Sequence, residues 1–213
     1  MLQDFTKQIE KTVETLINEI HTALPGEIVS FDTSKGTAII QPVGKFITSD
    51  GKVLDYPRIT EVPLVFPYCH QTGVGIALPV KKGDSCIIII SEVELDEWRS
   101  GGKSEGSLRF DLTSAVAIPG LLKTGGQLFS KAVNNNAVVI GSSGASVSVS
   151  NKRVDMDVKG TTFSVSESGI TVGGNLTVKG NITSTEDVKA GEISLKQHTH
   201  ISAEPEKETG KAQ

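Results

Sequence analysis

The chain has 213 residues and a formal net charge of −4, with a sequence pI near 5.6. The negative net charge gives no sign of a basic surface that binds nucleic acid. No apolar run approaches the ~18 residues of a membrane-spanning helix. The two cysteines have no CxxC spacing and imply no disulfide framework. No secretion signal is visible, so we expect a soluble protein made in the cytoplasm.

Residues 1–24 are predicted to form a helix. Its apolar residues recur at steps of three and four and therefore share one narrow stripe: Leu2, Phe5, Ile9, Val13, Leu16 and Ile20. Pro25 and Gly26 end the segment. The stripe fits a coiled-coil seam, docking on a neighbour, or packing on the chain's own domain. In each case we expect an attachment element.

Residues 25–120 change to a period of two, which predicts short β-strands. The runs are Ile28–Phe31, Thr37–Gln41, Val62–Phe66, Ile76–Pro79 and Ser85–Val93, separated by turn signals such as Lys82-Gly83-Asp84. About five strands in a segment of this length predict a small barrel, with an OB-fold barrel as the natural candidate. Seven of the ten aromatic residues lie here, so a conventional core can form.

Residues 121–136 are interpreted as a linker and residues 137–197 as a β-helix shaft. Single aliphatic residues alternate with polar ones in the shaft, and glycines recur between the alternating runs. Gly174-Asn175-Leu176-Thr177 is repeated six residues later as Gly180-Asn181-Ile182-Thr183. Regular short strands with glycine at the corners are typical of a β-helix or solenoid.

The shaft has few bulky side chains. Of ten aromatic residues only Phe163 lies beyond position 130, and no proline lies between Pro119 and Pro205. A thin sheet of this composition cannot bury its apolar face alone. A single-chain solenoid needs more rungs and polar caps, whereas three copies around one axis have a narrow interior that medium-sized aliphatics fill. The pattern therefore favours an intertwined homotrimer, a triangular prism, over a single-chain solenoid.

Residues 198–213 are interpreted as a pointed metal-binding tip and a charged tail. In an extended strand His198 and His200 point to the same side, and imidazole is a common metal ligand. Two ligands make a weak site, but a threefold axis makes six, which suits iron, nickel or cobalt better than zinc. Ile193 and Leu195 have the other parity, so a turn or bulge near Lys196-Gln197 is needed if both pairs point inward. Two exposed histidines on a fraying end are the alternative.

No catalytic motif is visible, so we do not expect an enzyme. Cys69 and His70 could form a nucleophile–base pair, but adjacent strand residues face opposite sides. A metal hydrolase built on the histidine pair would need an open coordination position and a carboxylate such as Glu192.

The ordered combination of several segments resembles the central spike proteins of bacteriophage baseplates. The segments similar to the N-terminal OB domain of that family are Val62 to Pro67, Leu78 to Asp84, Asp96 to Trp98, Gly101-Gly102, Phe110 to Ala115 and Ala117 to Gly120. The Gly180 to Thr183 repeat, Gly191 to Leu195 and His198 to His200 resemble the C-terminal β-helix and tip of the same family. Phe110 stands where the family pattern has a histidine, and the charged tail differs from a glycine-rich tip.

The resemblance covers about residues 25–200 and implies a homotrimeric membrane-piercing needle at the tip of the tail baseplate of a virion. Sheath contraction would drive it through the host outer membrane, and its OB domain would join it to baseplate hub proteins. In relatives three chains hold one iron ion through six histidines, which correspond here to His198 and His200 of each chain. No lysozyme-like insertion is visible. A trimeric fibre or adhesin that recognises glycans through its OB domain is the alternative function.

Overall fold

The computed structural model describes residues 2–18, 20–48, 51–103 and 109–199. The chain divides into two compact units, Met1–Gly125 (unit 1) and Gly126–Gln213 (unit 2). Both units are mainly β, as the sequence predicted. The boundary lies inside the segment interpreted as a linker.

Unit 1 contains two helices and nine strands in its described residues. They are α1 (Leu2–Asn18), β1 (Ala23–Asp32), β2 (Thr37–Pro42), β3 (Lys45–Ile47), β4 (Val53–Asp55), β5 (Ile59–Pro63), β6 (Tyr68–Cys69), β7 (Val74–Gly75), β8 (Ser85–Ile90), α2 (Asp96–Arg99) and β9 (Ala115–Pro119). The predicted N-terminal helix is confirmed but ends at Asn18, and β1 begins at Ala23. The predicted strand at Ile76–Pro79 is wrong, because these residues belong to no strand of the described chain, and only the Ile76 amide extends the β6–β7 pairing by donating to the Pro67 carbonyl at 2.9 Å.

The main sheet of unit 1 is a curled half-barrel with strand order β5-β2-β1-β8-β9. Its two edge strands meet through a parallel bridge between Leu64 and Ala117, and the Val65 amide donates to the Ala117 carbonyl at 2.8 Å. Gly26 lies where β1 crosses the core, and a Cβ there would come within 2.8 Å of the Ile40 and Ile88 side chains. The half-barrel thus closes tightly around one interior.

That interior is a conventional apolar core. Its buried residues are Ile28, Ala38, Ile40, Ile59, Val62, Cys86, Ile88, Ile90, Ala115 and Ala117. They come from all five strands of the half-barrel, because alternate residues of each strand face inward. Unit 1 therefore supplies its own core.

Unit 2 contains one helix and seven strands in its described residues. They are α3 (Gln127–Asn135), β10 (Val138–Gly141), β11 (Ala145–Val149), β12 (Arg153–Val158), β13 (Thr161–Ser166), β14 (Gly169–Gly173), β15 (Lys189–Ala190) and β16 (Ile193–Ser194). Strands β10 to β14 form one antiparallel sheet in chain order. Lys159 and Gly160 join β12 to β13 with φ of 49° and 92°, as the two-residue turn of a tight hairpin requires.

None of the described helices combines the length and the hydropathy needed to cross a membrane.

Candidate functional site

The five-stranded sheet of unit 2 has one polar face that is tied together by hydrogen bonds. Asp155 accepts from Arg153 Nε at 2.6 Å and from the Ser164 hydroxyl at 2.6 Å, while Arg153 Nη2 donates to the Ser164 hydroxyl at 3.0 Å. The Ser164 hydroxyl first, and Arg153 second, lower the pKa of the Asp155 carboxyl below its ordinary value. This face is therefore polar and internally satisfied.

Helix α3 lies on the same polar side of the sheet. Lys131 of α3 donates to the Ser146 hydroxyl at 2.6 Å and pairs with Asp157 at 3.4 Å. Ser146 and Asp157 are cross-strand partners, so both point to one face. The only helix that unit 2 contributes from its described residues therefore leaves the opposite face uncovered.

The opposite face is apolar across all five strands. Strand register places its residues in two cross-strand rows: Val138, Val149, Val154, Val165 and Ile170, and next to them Ile140, Val147, Met156, Phe163 and Val172. Seven of these ten side chains are exposed, among them Ile170 at 65% and Met156 at 48%. We call these ten residues the apolar face.

The apolar face is too continuous to be an ordinary solvent-facing surface. Monomeric soluble proteins rarely expose contiguous apolar patches of this extent. Covering a half-exposed aliphatic side chain is worth on the order of 1 kcal/mol. The seven exposed side chains of this face thus strongly favour association with another apolar surface.

The chain between β14 and β15 belongs to no strand and bends at Lys179-Gly180 and at Thr185-Glu186. Among the described residues, 175–187 take part in no backbone–backbone hydrogen bond. Leu176 and Ile182, the aliphatic residues of the six-residue repeat, are 69% and 73% exposed. Since backbone N–H and C=O groups need partners once they are removed from water, this segment is suited to pairing with other chains.

A small hairpin, β15–β16, follows residues 175–187. Asp187 accepts from the Lys196 amide at 3.2 Å, and the Ser194 hydroxyl is the largest of the causes that lower the pKa of the Asp187 carboxyl. Lys196 Nζ also donates to the Thr185 carbonyl at 3.1 Å. These hydrogen bonds fix the hairpin to the end of segment 175–187.

His198, one of the two predicted metal ligands, is held against this hairpin. Residues 195–197 form a turn, at the place where a turn or bulge is needed if both residue pairs are to point inward. The His198 amide contacts the Ser194 carbonyl at 3.0 Å, and the ring Nδ1 contacts the Ser194 and Leu195 carbonyls at 2.9 and 3.2 Å. A carbonyl can only accept, so Nδ1 carries the proton and the lone pair of the neutral ring is on Nε2.

The second predicted ligand, His200, lies outside the described residues, as does the tail of 201–213. Among the residues that the structure describes, no group of three or more His, Cys, Asp or Glu side chains could hold a metal ion.

The structure places Cys69 and His70 next to each other at the β6–β7 hairpin. Both residues are exposed around the β6–β7 hairpin, and the His70 ring contacts Tyr68 edge-on at 6.4 Å. Cys86 is buried in the core of unit 1, and this burial raises the pKa of its thiol to about 11. A thiol with so high a pKa is not activated as a nucleophile.

Sequence comparison finds a family of proteins to which unit 1 is similar. Residues 24–120 match the family model described as the N-terminal domain of phage protein Gp138. The matched segment is just under half of the chain and contains the half-barrel from β1 to β9, except for Ala23 at the start of β1. No curated protein sequence matches the chain. Unit 1 is therefore similar to a phage protein domain.

Proposed function

We propose that the chain is a structural spike subunit of a contractile phage tail, or of a tail-like particle, and that it acts as a homotrimer at the tip of the baseplate. The similarity of residues 24–120 to a phage protein domain supports a virion component. The half-barrel, with its five strands and bridged edges, fits the expected OB-type collar that joins baseplate hub proteins.

The uncovered apolar face of unit 2 carries the proposal. A closed ring of three copies buries three such faces against one another and leaves three polar faces in water. The residues involved are mostly valine and isoleucine, with Phe163 as the single aromatic, which suits a narrow interior. Residues 175–187 of the three chains then supply one another's backbone partners as an intertwined shaft.

A slender shaft of this kind has a mechanical role. Sheath contraction would drive the trimer point-first through the host outer membrane, and no step of this action needs a catalytic group. A chain that ends after Gly173 keeps the apolar face but lacks residues 175–187 and the β15–β16 hairpin. We expect particles that carry it to assemble yet to lose outer-membrane permeabilisation, measured by access of a periplasmic enzyme to an external chromogenic substrate.

Trimer formation is tested by two neighbouring residues of β14 that lie on opposite faces. Ile170 belongs to the apolar face and Thr171 to the polar face, and both are exposed in the single chain. We expect the unmodified chain and Thr171→Glu to have three times the 22.5 kDa chain mass by light scattering. Ile170→Glu should shift the mass toward one chain. Equal masses for the two variants, or a monomeric unmodified chain, would refute the trimer.

We also propose that His198 and His200 of three chains hold one iron ion at the tip. The Nδ1 hydrogen bonds of His198 to backbone carbonyls fit this role, because ligating histidines are commonly oriented in this way through the other ring nitrogen. The ion would cross-link the three chains at these histidines. Elemental analysis should find one transition metal per three chains, and His198→Ala should lose it while the trimer mass is unchanged. A content well below this value would exclude the site.

A further inference from the structure

Helix α1 presents a second uncovered apolar surface, in unit 1. Its side chains Phe5, Ile9, Val13, Leu16 and Ile17 are between 46% and 61% exposed. They recur at steps of three, four and one and lie along one side of the helix. We call these five residues the α1 stripe. A 17-residue helix without a covered apolar side is only marginally stable in water, so the stripe needs a partner.

We propose that the α1 stripes of three copies pack against one another as a parallel three-helix bundle. The inference rests on the proposed trimer. Rotational symmetry about one axis gives equivalent helices the same direction along it. Each helix then packs one flank of its stripe against the other flank of the next stripe, a heterologous contact that closes a ring of three.

The polar residues of α1 are compatible with self-association. The described charged side chains of the helix, Asp4, Lys7, Glu10 and Lys11, all lie outside the stripe and sum to zero, so identical copies bring no set of like charges to the seam. At the flank of the stripe, the Thr12 hydroxyl donates to the Gln8 carbonyl at 2.9 Å. Its hydroxyl is thus satisfied within the helix, and its methyl group can contact a neighbouring helix.

The same charges argue against a membrane surface as the partner. Helices that lie on anionic membranes carry lysine and arginine on their polar side. Here two lysines are balanced by Asp4 and Glu10, and the sequence adds Glu14 and Glu19. A slightly acidic helix gains no attraction to anionic lipid headgroups.

The size of the stripe indicates when the bundle forms. Five half-exposed side chains provide less than the ~800 Å² per partner of a stable independent interface. Tethering within a trimer raises the local concentration of α1 to about the millimolar range. We therefore expect the helices to associate only in chains that the apolar face of unit 2 has already brought together.

The first test compares Ile9→Gln, inside the stripe, with Lys11→Gln on the opposite side, both in the full chain. Helix α1 has 17 residues, against four in α2 and nine in α3. If the bundle stabilises α1, Ile9→Gln should lose about half of the helical circular dichroism signal while keeping the trimer mass. Lys11→Gln should keep both. An unchanged helical signal in an Ile9→Gln trimer would overturn the bundle.

The second test is a cross-link in a Cys69→Ser background, which leaves only the buried Cys86. Under mild oxidation, Val13→Cys should give disulfide-linked pairs of chains, whereas Lys11→Cys should not. A trimer by mass in which Val13→Cys does not cross-link would overturn the bundle and assign the stripe to another partner, such as a hub protein. A monomeric mass would overturn the proposed trimer, and the bundle with it.

Discussion

The two units build their β-sheets from similar sequence patterns but bury opposite classes of residue. In unit 1 alternating strands place ten apolar residues in a closed interior, with Ile28, Ile40 and Ile88 fully buried. In the described part of unit 2 the buried residues are Ser146, Ser148 and Ser164, while the valines and isoleucines face outward. Alternation therefore fixes which residues share a face, but only the partner of that face decides whether it becomes a core.

This difference predicts that stability has two separate sources. Unit 1 should be stable as a single chain, because its own five strands cover its apolar residues. Unit 2 should depend on association, since its apolar face has no cover within its described residues. Substitutions matched between the two units can test this distinction.

The largest effect is expected for Ile88→Ala in unit 1. Ile88 is fully buried at the centre of the half-barrel, so its truncation leaves a cavity and should lower the free energy of unfolding by ~2–5 kcal/mol. Trp98, the single tryptophan, lies in unit 1, and its fluorescence can follow the urea unfolding of this unit. The loss should be the same at every protein concentration. A loss that varied with concentration would mean that unit 1, too, depends on association.

A smaller, concentration-dependent effect is expected for Met156→Ala in unit 2. Met156 is about half exposed in the single chain and lies in the central strand of the apolar face. Its truncation should cost ~1–3 kcal/mol per chain, mainly as weaker association. The dissociation midpoint measured by light scattering should move to higher protein concentration, and the far-ultraviolet circular dichroism transition should follow it. Equal destabilisation at all concentrations would place the core of unit 2 within one chain.

Alternation is a local property, and the strands that it predicted match β1, β2 and β8 of unit 1 and β11 to β14 of unit 2, but not the stretch Ile76–Pro79. The parity of Ile193 and Leu195 against His198 required a turn before the histidine only if both pairs point inward, and residues 195–197 do form a turn. Helix α3 was not predicted within the presumed linker, although the four-residue spacing of Leu128 and Ala132 was a weak signal for it.

The polar network of unit 2 was not accessible from sequence patterns. Lys131 reaches Ser146 fifteen residues away and Arg153 reaches Ser164 eleven residues away. These contacts arise only once strand register and the position of α3 are known. Alternation assigns the serines to the polar face of the sheet but not to a buried position. The aliphatic stems of long charged side chains on the same face can cover such small residues. The burial of the serines is thus a tertiary effect.

The smallest effect is expected at the Asp155 carboxylate of the polar face, and it depends on pH. The Ser164 hydroxyl and Arg153 lower the pKa of Asp155 in the folded state. This stabilisation is therefore fully present above the ordinary unfolded pKa of about 3.9, and it is lost as the pH falls through the lowered folded value. Asp155→Asn removes this contribution at neutral pH, so its stability should change less than that of the unmodified chain as the solution is acidified below about pH 4.

Asp32 offers the matched control in unit 1, because the pKa of its carboxyl is also lowered, first by the Ser34 hydroxyl. Asp32→Asn should flatten the acid response of the Trp98 signal and leave that of unit 2 unchanged. Asp155→Asn should do the reverse, measured by circular dichroism of the association-dependent transition between pH 3 and 7. If acid weakened the unmodified chain and Asp155→Asn in parallel, the network would have no linkage to folding. A selective response would show that each of the two carboxylates stabilises only its own unit. In unit 2, association would then cover the apolar face, while the hydrogen bonds of the polar face would form within each chain.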